Sequence, residues 1–300
     1  MKKLYLVDSS IYVFRGWHSL PDHLANAQGE PNNAFRGFSD FTYHFLQAER
    51  PREVVFAFDE SLHHCARKAI YPEYKANRAP APDELKRQFA WCRQWVEALG
   101  ISCVSSNRYE ADDLIGSLAQ LHRRAGQAIV ILTADKDLAQ LIRSDDQWWS
   151  FATGQQLSYK NLIKKFGLRP EQIADQLAIA GDKVDNIPGI PGIGMTIAAR
   201  LLTKFETLDN LRKHIDEVKN MKFRGSERIM NLLREHEDIL DISARLTPID
   251  CNIAEMKNIP TTRLTADRDK LQQMMTEQAL DAARQQKWWT LIDAMSAATC

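Results

Sequence analysis

The alternation of short apolar runs with helix-like segments constrains the fold of this chain most strongly. Three runs have the length and content of buried strands, at residues 4–7, 54–58 and 128–132. Between them, apolar residues at three- and four-residue spacing predict helices at residues 34–50, 83–99 and 111–125. This order predicts the α/β class, with a mostly parallel sheet and helices on both of its faces.

An acidic residue stands at the end of each predicted strand. Asp8 and Asp59 follow the first two runs directly, and Asp135 and Asp137 follow the third after Thr133. Because the carboxyl ends of parallel strands meet at one edge of a sheet, we expect these acids to share a rim. For the Asp135–Asp137 pair alone, a solvated turn is the alternative.

Two more acidic groups accompany these strand ends. Glu110, Asp112 and Asp113 begin a predicted helix, where capping and the helix dipole are the ordinary reasons for acidic residues. Three acids within four residues exceed what a cap needs. Asp182 and Asp185 form a further pair in GDKVDN.

Crowded carboxylates repel one another unless cations neutralise them. Because the set contains only oxygen ligands, it predicts hard ions, Mg²⁺ or Mn²⁺, and not Zn²⁺. Its size suits two ions, the arrangement used for in-line displacement at phosphorus. The predicted ligands are Asp8, Asp59, Glu110, Asp112, Asp113, Asp135, Asp137, Asp182 and Asp185.

Residues 60–82 interrupt the α/β pattern with basic and aromatic side chains and a proline-rich end. Such a mixture suits single-stranded nucleic acid, because cations bind phosphates and rings stack on bases. The alternative is a solvated charged helix with two partly buried tyrosines. His63 and His64 beside Cys65 lack the spacing of a closed metal site, which favours a structural role. The candidate contacts are Arg67, Lys68, Tyr71, Tyr74, Lys75 and Arg78.

A glycine-rich turn, PGIPGIG at residues 188–194, separates predicted helices at 171–180 and 195–205. Glycines allow the backbone to approach a phosphate, and the following helix N-terminus presents free N–H groups. A tight connection between helices is the alternative. The proximity of Asp182 and Asp185 favours a functional role.

Composition limits the cellular context. Lys plus Arg and Asp plus Glu both number 39, so any nucleic-acid surface is local. The five cysteines form no CxxC pair, which argues against a disulfide framework and a zinc ribbon. The apolar run before Asp8 is too short for a signal peptide, and no later stretch approaches a membrane span. We therefore expect a cytoplasmic protein with no membrane contact.

The sequence closely resembles the flap endonuclease family, including the bacterial 5′ nucleases found as stand-alone proteins and at the N-terminus of DNA polymerase I. The resemblance covers nearly the whole chain. It implies a structure-specific 5′→3′ exonuclease and flap endonuclease that cleaves DNA, and primer RNA as a further substrate, in replication or repair. The matching stretches are LVDSS with Arg15, AFDE, ARKAIYPEYKANRAPAPDEL, YEADDLIGSLA, TADKDLAQL and GDKVDNIPGIPGIG.

The resemblance also implies an architecture and partners. A Rossmann-like, PIN-type core is expected at residues 1–158, with a helical arch at about 61–95, and an H3TH DNA-binding and C-terminal helical region at 159–300. The implied substrate is DNA with a 5′ flap or a single-strand/duplex junction. A polymerase or ligase is the implied partner, and the implied state is a monomer.

Site roles follow from the same resemblance. One ion would bind Asp8, Asp59, Glu110 and Asp112, and the other Asp112 or Asp113, Asp135, Asp137 and Asp182, with Asp185 close by. Lys75 and Arg78 would contact the scissile phosphate, with Lys75 stabilising transition-state charge and Tyr74 stacking on a base. A K⁺ ion in the hairpin would bind the carbonyls of Ile179, Ala180, Pro188, Ile190 and Ile193. Further DNA contacts would be Arg15, Lys183, Gly189, Gly192, Gly194, Arg200 and Lys204.

One position departs from the family pattern. Thr196 stands where family members usually carry a lysine after the hairpin, so a phosphate contact is missing or moved to Arg200 or Lys204. Two other functions remain as alternatives. A non-catalytic DNA-binding protein would need a lost metal ligand, and a small PIN-type ribonuclease would lack the arch and hairpin.

Overall fold

The computed structural model describes residues 2–60 and 65–297. One six-stranded sheet has the order β3-β2-β1-β4-β5-β6, in which all neighbours are parallel except the antiparallel pair β5 and β6. The three predicted strands are present, whereas the polar sequences of β3 and β6 and the short β5 gave no apolar run to predict them. The strands are β1 Lys3–Asp8, β2 Val54–Asp59, β3 Ser102–Ser106, β4 Ala128–Leu132, β5 Gln147–Ser150 and β6 Gln155–Ser158.

The predicted helices are also present, with ends that agree to within one or two residues. The α-helices of the described ranges are α1 Ser9–Ser19, α2 Asn33–Glu49, α3 Ala66–Ile70, α4 Asp83–Ala98, α5 Ala111–Arg124, α6 Tyr159–Phe166, α7 Ile173–Ala180, α8 Met195–Phe205, α9 Leu208–Lys213, α10 Ser226–Glu235, α11 Glu237–Leu246, α12 Arg268–Glu277 and α13 Ala282–Ala297. None of them is long and apolar enough to cross a membrane.

Helices cover both faces of the sheet, as predicted. On one face, α1, α2 and α4 bury a core that includes Phe35, Phe38 and Trp95. On the other face, α5 buries Leu114 and Ile115 against the strands. Each such side chain contributes about 1.5–3 kcal/mol when it is fully buried. The sheet is therefore fixed from both sides, which holds its strand ends in place.

The C-terminal half divides differently from the predicted 159–300 region. Helices α7 to α11 form a core of their own, which includes Leu201, Phe205 and Leu233. Helices α12 and α13 instead return to the sheet, where Trp288 packs edge-on against Trp95 with ring centroids 5.0 Å apart. The last two helices thus pack on the core of the sheet and not on the core of α7 to α11.

Within the range predicted as a helical arch, about 61–95, the described residues form two separate helices with a run of turns between them. Residues 65–82 contain the short α3 and a run of turns, and α4 then joins the main core through Leu85 and Trp95. The sequence between α3 and α4 carries three prolines and Asn77, residue types that favour turns. His63 and His64 lie outside the described residues, and Cys65 is a buried free thiol.

Candidate active site

The carboxyl ends of the central strands carry the predicted acidic rim. Asp8 ends β1 and accepts a hydrogen bond from the Thr133 hydroxyl at 2.8 Å, which joins it to the end of β4. Asp59 ends β2 and accepts a hydrogen bond from the Ala111 backbone N–H at 2.9 Å, which joins it to the start of α5. The strand order reverses between β1 and β4, which are neighbours in the sheet. Ligands usually bind in the crevice at such a reversal point.

The pKa values of Asp8 and Asp112 are raised, which indicates that other carboxylates lie close to them. Burial and, to a smaller extent, the negative charges of Asp59 and Asp135 raise the pKa of Asp8 to about 7. Burial also raises the pKa of Asp112 well above its usual range, with added repulsion from Asp135, Asp8 and Asp59. Carboxylates from β1, β2, α5 and the loop after β4 therefore act on one another, as the rim prediction requires.

Asp137 extends this centre toward the helical region. Burial raises its pKa to about 7, and repulsion from Asp135 and Asp182 contributes. Its Oδ1 atom is buried and has no hydrogen-bond partner. Because an unpaired buried carboxylate oxygen is costly, this atom indicates a ligand at the site.

The donor set fits a hard divalent cation. Its members offer carboxylate oxygens alone, and the unpaired Oδ1 of Asp137 is an available donor. Within residues 2–60 and 65–297, no three such side chains are already gathered closely enough to hold an ion. Mutual repulsion opposes a closer approach of these carboxylates, and a cation would supply the attraction that these like charges lack.

The three acidic residues at the start of α5 differ in their roles. Glu110 is the N-cap, and its backbone N–H donates to Asp113 Oδ2 at 3.1 Å, so the two residues form a capping box. Both oxygens of Asp113 also accept from Arg67, at 2.6 and 2.7 Å. Asp113 was predicted as a metal ligand, but both of its oxygens already accept hydrogen bonds within the protein, so we do not propose it as a ligand. The capping interpretation describes Asp113 and Glu110, whereas Asp112 faces the centre.

Two predicted DNA contacts are buried. The Arg67 side chain is 10% exposed and donates to Glu110, Asp113 and backbone carbonyls, so its guanidinium is bound within the protein. Tyr74 is 2% exposed, and its hydroxyl donates to Glu110 Oε2 at 2.9 Å. Because these polar groups are already used within the protein, we do not propose Arg67 and Tyr74 as DNA contacts. For Tyr74 the alternative of a buried tyrosine holds, while Lys68 and Tyr71 remain half-buried.

Lys75 and Arg78 bring positive charge to the centre. Lys75 Nζ lies 2.5 Å from Glu110 Oε1 and 3.5 Å from Asp185 Oδ2. Arg78 pairs with Asp185 at 2.6 Å. Burial alone would raise the pKa of Glu110, but Lys75 and Arg67 outweigh it and lower that pKa. Asp185 thus serves as an anchor for the basic segment, which lies directly beside the acids.

The basic segment is also fastened to the loop before the hairpin. The backbone N–H of Lys75 donates to the Asp185 carbonyl at 2.9 Å, and Asn77 donates to the Lys183 carbonyl at 2.9 Å. In return, the Asn186 side chain donates to the Glu73 carbonyl at 2.6 Å. Asp182 lies between this loop and the rim, 3.5 Å from Lys136. The two nucleic-acid-binding candidates of the sequence therefore adjoin one acidic centre.

The hairpin glycines differ in their roles. Gly189 has a φ of +56°, and a Cβ there would lie 2.1 Å from the Gly181 backbone nitrogen. Its N–H donates to the Ser243 hydroxyl at 3.2 Å, so tight packing explains the glycine and we do not propose a DNA contact at Gly189. Gly192 and Gly194 are exposed at the tip. Of the five carbonyls predicted for K⁺, that of Ile179 accepts from the Ile190 N–H at 2.8 Å and that of Ile190 accepts from the Ile193 N–H at 3.0 Å.

The substitution Gly189→Ala should destabilise the helical region by at least ~2 kcal/mol, because a positive φ and a backbone clash act together. Chemical denaturation would measure the change. Gly194→Ala is the matched control, since nothing lies within 4 Å of a Cβ at that position and its φ is −100°. Equal stability of the two variants would contradict the packing role of Gly189.

The remaining predicted contacts lie on the surface. Arg15, Lys183 and Arg200 are exposed, and so is Thr196 on α8. Lys204 is also exposed, and its side chain pairs with Glu217 at 3.3 Å. Thr133 also belongs to this site through its hydrogen bond to Asp8, although it was not among the predicted site residues. Its place between a buried strand and Asp135 is the signal that could have identified it.

Fold and site together define a Rossmann-like α/β protein with an acidic centre beside a helical hairpin region. Residues 3–167 match the model of the 5′-3′ exonuclease N-terminal resolvase-like domain, and residues 168–270 match that of the 5′-3′ exonuclease C-terminal SAM fold. The chain therefore belongs to the 5′-3′ exonuclease family, a family of nuclease hydrolases, and the resemblance found in the sequence is confirmed.

Individual relatives agree with this assignment. The 5′-3′ exonuclease of Aquifex aeolicus is 34% identical over 281 residues, which cover 92% of either chain. DNA polymerase I of Rhizobium leguminosarum is 36% identical over 234 residues, 75% of this chain and 23% of the relative. The chain thus spans about a quarter of that polymerase and nearly the whole Aquifex protein.

Solved structures share the fold. The T5 D15 protein co-crystallised with metal ions superimposes with a TM-score of 0.67 at 18% identity, covering 93% of this chain and 98% of that one. Flap endonuclease-1 from Methanococcus jannaschii gives a TM-score of 0.62 at 15% identity, covering 100% of this chain and 94% of that one. The predicted α/β fold with a helical C-terminal region is confirmed.

Proposed function

We propose that this chain is a structure-specific 5′→3′ exonuclease and flap endonuclease that hydrolyses phosphodiester bonds at single-strand/duplex junctions of DNA. The observation that carries the proposal is the group of mutually repelling carboxylates at the rim, with Lys75 beside it. Acids that bind divalent cations, next to a cation for developing phosphate charge, are the requirements of phosphodiester hydrolysis.

Two Mg²⁺ or Mn²⁺ ions are the proposed cofactors. When bound, they would lower the pKa of a water molecule and stabilise the leaving oxygen. The side chains proposed to hold them are Asp8, Asp59, Glu110, Asp112, Asp135, Asp137 and Asp182. Glu110 already has Lys75 at 2.5 Å, so this carboxylate would be shared between the lysine and an ion.

The proposed DNA path runs from the rim to the hairpin. Lys75 and Arg78 would meet the scissile phosphate, and both lie within ion-pair distance of acids of the centre. The exposed tip at Gly192 and Gly194 would meet the duplex backbone, because free N–H groups at a helix N-terminus favour phosphates. We also propose the hairpin carbonyls as a K⁺ site.

A side-by-side cleavage assay tests the proposal. With Mg²⁺, wild-type protein should cleave a 5′-flap substrate in preference to blunt duplex, and a chelator should abolish cleavage. Asp135→Ala and Asp182→Ala should each lower the rate at least ~1000-fold, since losing a ligand removes transition-state stabilisation of about 4 kcal/mol. Product length, read on a denaturing gel, separates single-nucleotide release from flap excision.

The outcome also discriminates the alternatives. Flap binding without cleavage in any divalent metal would favour a non-catalytic DNA-binding protein. Preference for single-stranded RNA over every DNA junction would favour a PIN-type ribonuclease. Normal cleavage by either aspartate variant would contradict the proposed centre. A monomeric, cytoplasmic enzyme of replication or repair that works with a polymerase or ligase completes the proposal.

A further inference from the structure

Arg67 has an unusually complete set of partners for a residue in a basic surface segment. Its five N–H groups all meet an acceptor. Nη1 donates to Glu110 Oε2 at 3.1 Å and to Asp113 Oδ2 at 2.6 Å, and Nη2 donates to Asp113 Oδ1 at 2.7 Å. The carbonyls of Leu246 and Pro248 accept the remaining two, both at 2.9 Å. A buried guanidinium with every donor satisfied holds its neighbours in fixed positions.

The two carbonyls belong to the end of α11 and the turn that follows it. Asp113 binds the same segment, because its Oδ1 accepts from the Asp250 N–H at 2.9 Å. One turn earlier on α11, the Ser243 hydroxyl accepts from the N–H of Gly189 in the hairpin at 3.2 Å. Hydrogen bonds and α11 therefore connect the hairpin, through Arg67, to Glu110.

We propose that Arg67 is a positioning residue that fixes the Glu110 carboxylate relative to α11 and the hairpin. The inference rests on the proposed function, in which Glu110 serves the metal centre and the hairpin meets the duplex. Arg67 itself would touch neither DNA nor metal. Its role would be to keep a constant spacing between the place where the duplex is held and the place where the bond is cut.

Two measurable consequences follow from this role. Residues that orient a metal ligand typically change metal affinity about 10–100-fold when they are replaced. A looser spacing between hairpin and centre should also spread the cut over neighbouring phosphates. A residue that only stabilised the fold would change neither property after correction for the unfolded fraction.

The test compares Arg67→Lys with Arg123→Lys. Lysine keeps the positive charge but cannot reproduce the forked geometry. Arg123 is the matched control, because it donates twice to the buried Asp146, at 2.6 and 3.0 Å, and to the Leu141 carbonyl at 2.9 Å. It lies near the opposite end of α5 from Glu110. Mn²⁺ binding to DNA-free protein is measured by electron paramagnetic resonance, with circular dichroism to establish the folded fraction.

Arg67→Lys should bind Mn²⁺ at least ~10-fold more weakly than wild type, whereas Arg123→Lys should bind it normally. Equal Mn²⁺ affinity of the two variants would overturn the inference. If Arg67→Lys does not fold, Asp113→Asn supports or overturns it by the same criterion, because that change removes the forked pair and keeps Arg67.

The cut position separates this inference from the proposed function. On the 5′-flap substrate, Arg67→Lys should give several products where wild type gives one major product. If wild type cleaves no DNA while Mn²⁺ affinity still depends on Arg67, the proposed function fails and the positioning of Glu110 stands. If Arg67→Lys loses DNA affinity with unchanged Mn²⁺ affinity, Arg67 contacts phosphate and the inference fails.

Discussion

Asp112→Asn should lower flap cleavage at least ~1000-fold and, in a chelator, should raise the melting temperature of the protein. Both effects have one cause. Asp112 is half-buried near Asp135, Asp8 and Asp59, and loss of solvation together with their repulsion raises its pKa well above its usual range. The amide keeps the shape of the side chain, removes the destabilising charge, and loses the capacity to bind a cation.

The pH dependence of stability provides a second measure of the same repulsion. An aspartate whose folded-state pKa is raised binds protons more tightly in the folded than in the unfolded state. Its stabilising contribution is present below the unfolded pKa and is lost as the pH rises through the folded pKa. For Asp8 and Asp137, with folded pKa values of about 7, that window lies between about pH 4 and 7.

In a chelator, the melting temperature of wild-type protein should therefore fall as the pH rises from about 5 to about 8, by ~2–4 °C for each kcal/mol lost. The fall should be shallower in Asp112→Asn, and Mg²⁺ should oppose it in wild type. Calorimetry measures all three. Asp145→Asn, at an exposed acid, is the control that should change neither activity nor stability. A lower melting temperature for Asp112→Asn would contradict electrostatic strain at this centre.

Lys75→Met should lower the single-turnover cleavage rate ~100–1000-fold without weakening Mn²⁺ binding. Burial would lower the pKa of Lys75, but Glu110 and Asp185 outweigh it and raise that pKa, so the ammonium stays charged near neutrality. Methionine keeps most of the apolar stem and removes the charge that would oppose the developing phosphate charge. Because Lys75 competes with cations for Glu110, its loss should leave Mn²⁺ affinity equal or higher.

The control for Lys75 is Lys136→Met. Lys136 also lies near an acid of the centre, 3.5 Å from Asp182, but its side chain is 52% exposed and more strongly hydrated. We expect a rate loss below ~10-fold for it, as is usual for exposed pairs. If Lys75→Met cleaves at the wild-type rate but is less stable, the lysine is a structural counter-ion only.

Local patterns were sufficient to predict the rim of the site. Strands β1, β2 and β4 are apolar runs, and the adjacent acids necessarily lie at the carboxyl edge of a parallel sheet. Asp8 and Asp59 could thus be placed without knowledge of their partners. Strands β3, β5 and β6 could not be predicted from local patterns, because their sequences are polar or short and pairing with neighbouring strands stabilises them.

The burial of Arg67 and Tyr74 depends on partners that are distant in sequence. Arg67 and Tyr74 lie in a segment whose basic and aromatic content is typical of nucleic-acid contacts. Arg67 is buried because it meets Asp113 and the carbonyl of Leu246, which is 179 positions away. No local sequence pattern predicts such a long-range contact. The charge of Arg67 therefore suggested a surface position, whereas its distant partners bury it.

The return of α12 and α13 to the sheet has a consequence for how the chain is made. Leu271, Met275 and Ile292 complete the core that begins with Phe35 and Trp95. The sheet region is therefore discontinuous in sequence, and the helical region of α7 to α11 is inserted within it. During synthesis the first half of the chain leaves the ribosome with part of its apolar core uncovered. We infer that the inserted region of α7 to α11 can fold before the sheet region is complete. Assembly of the acidic centre is then a late step in the folding of the chain.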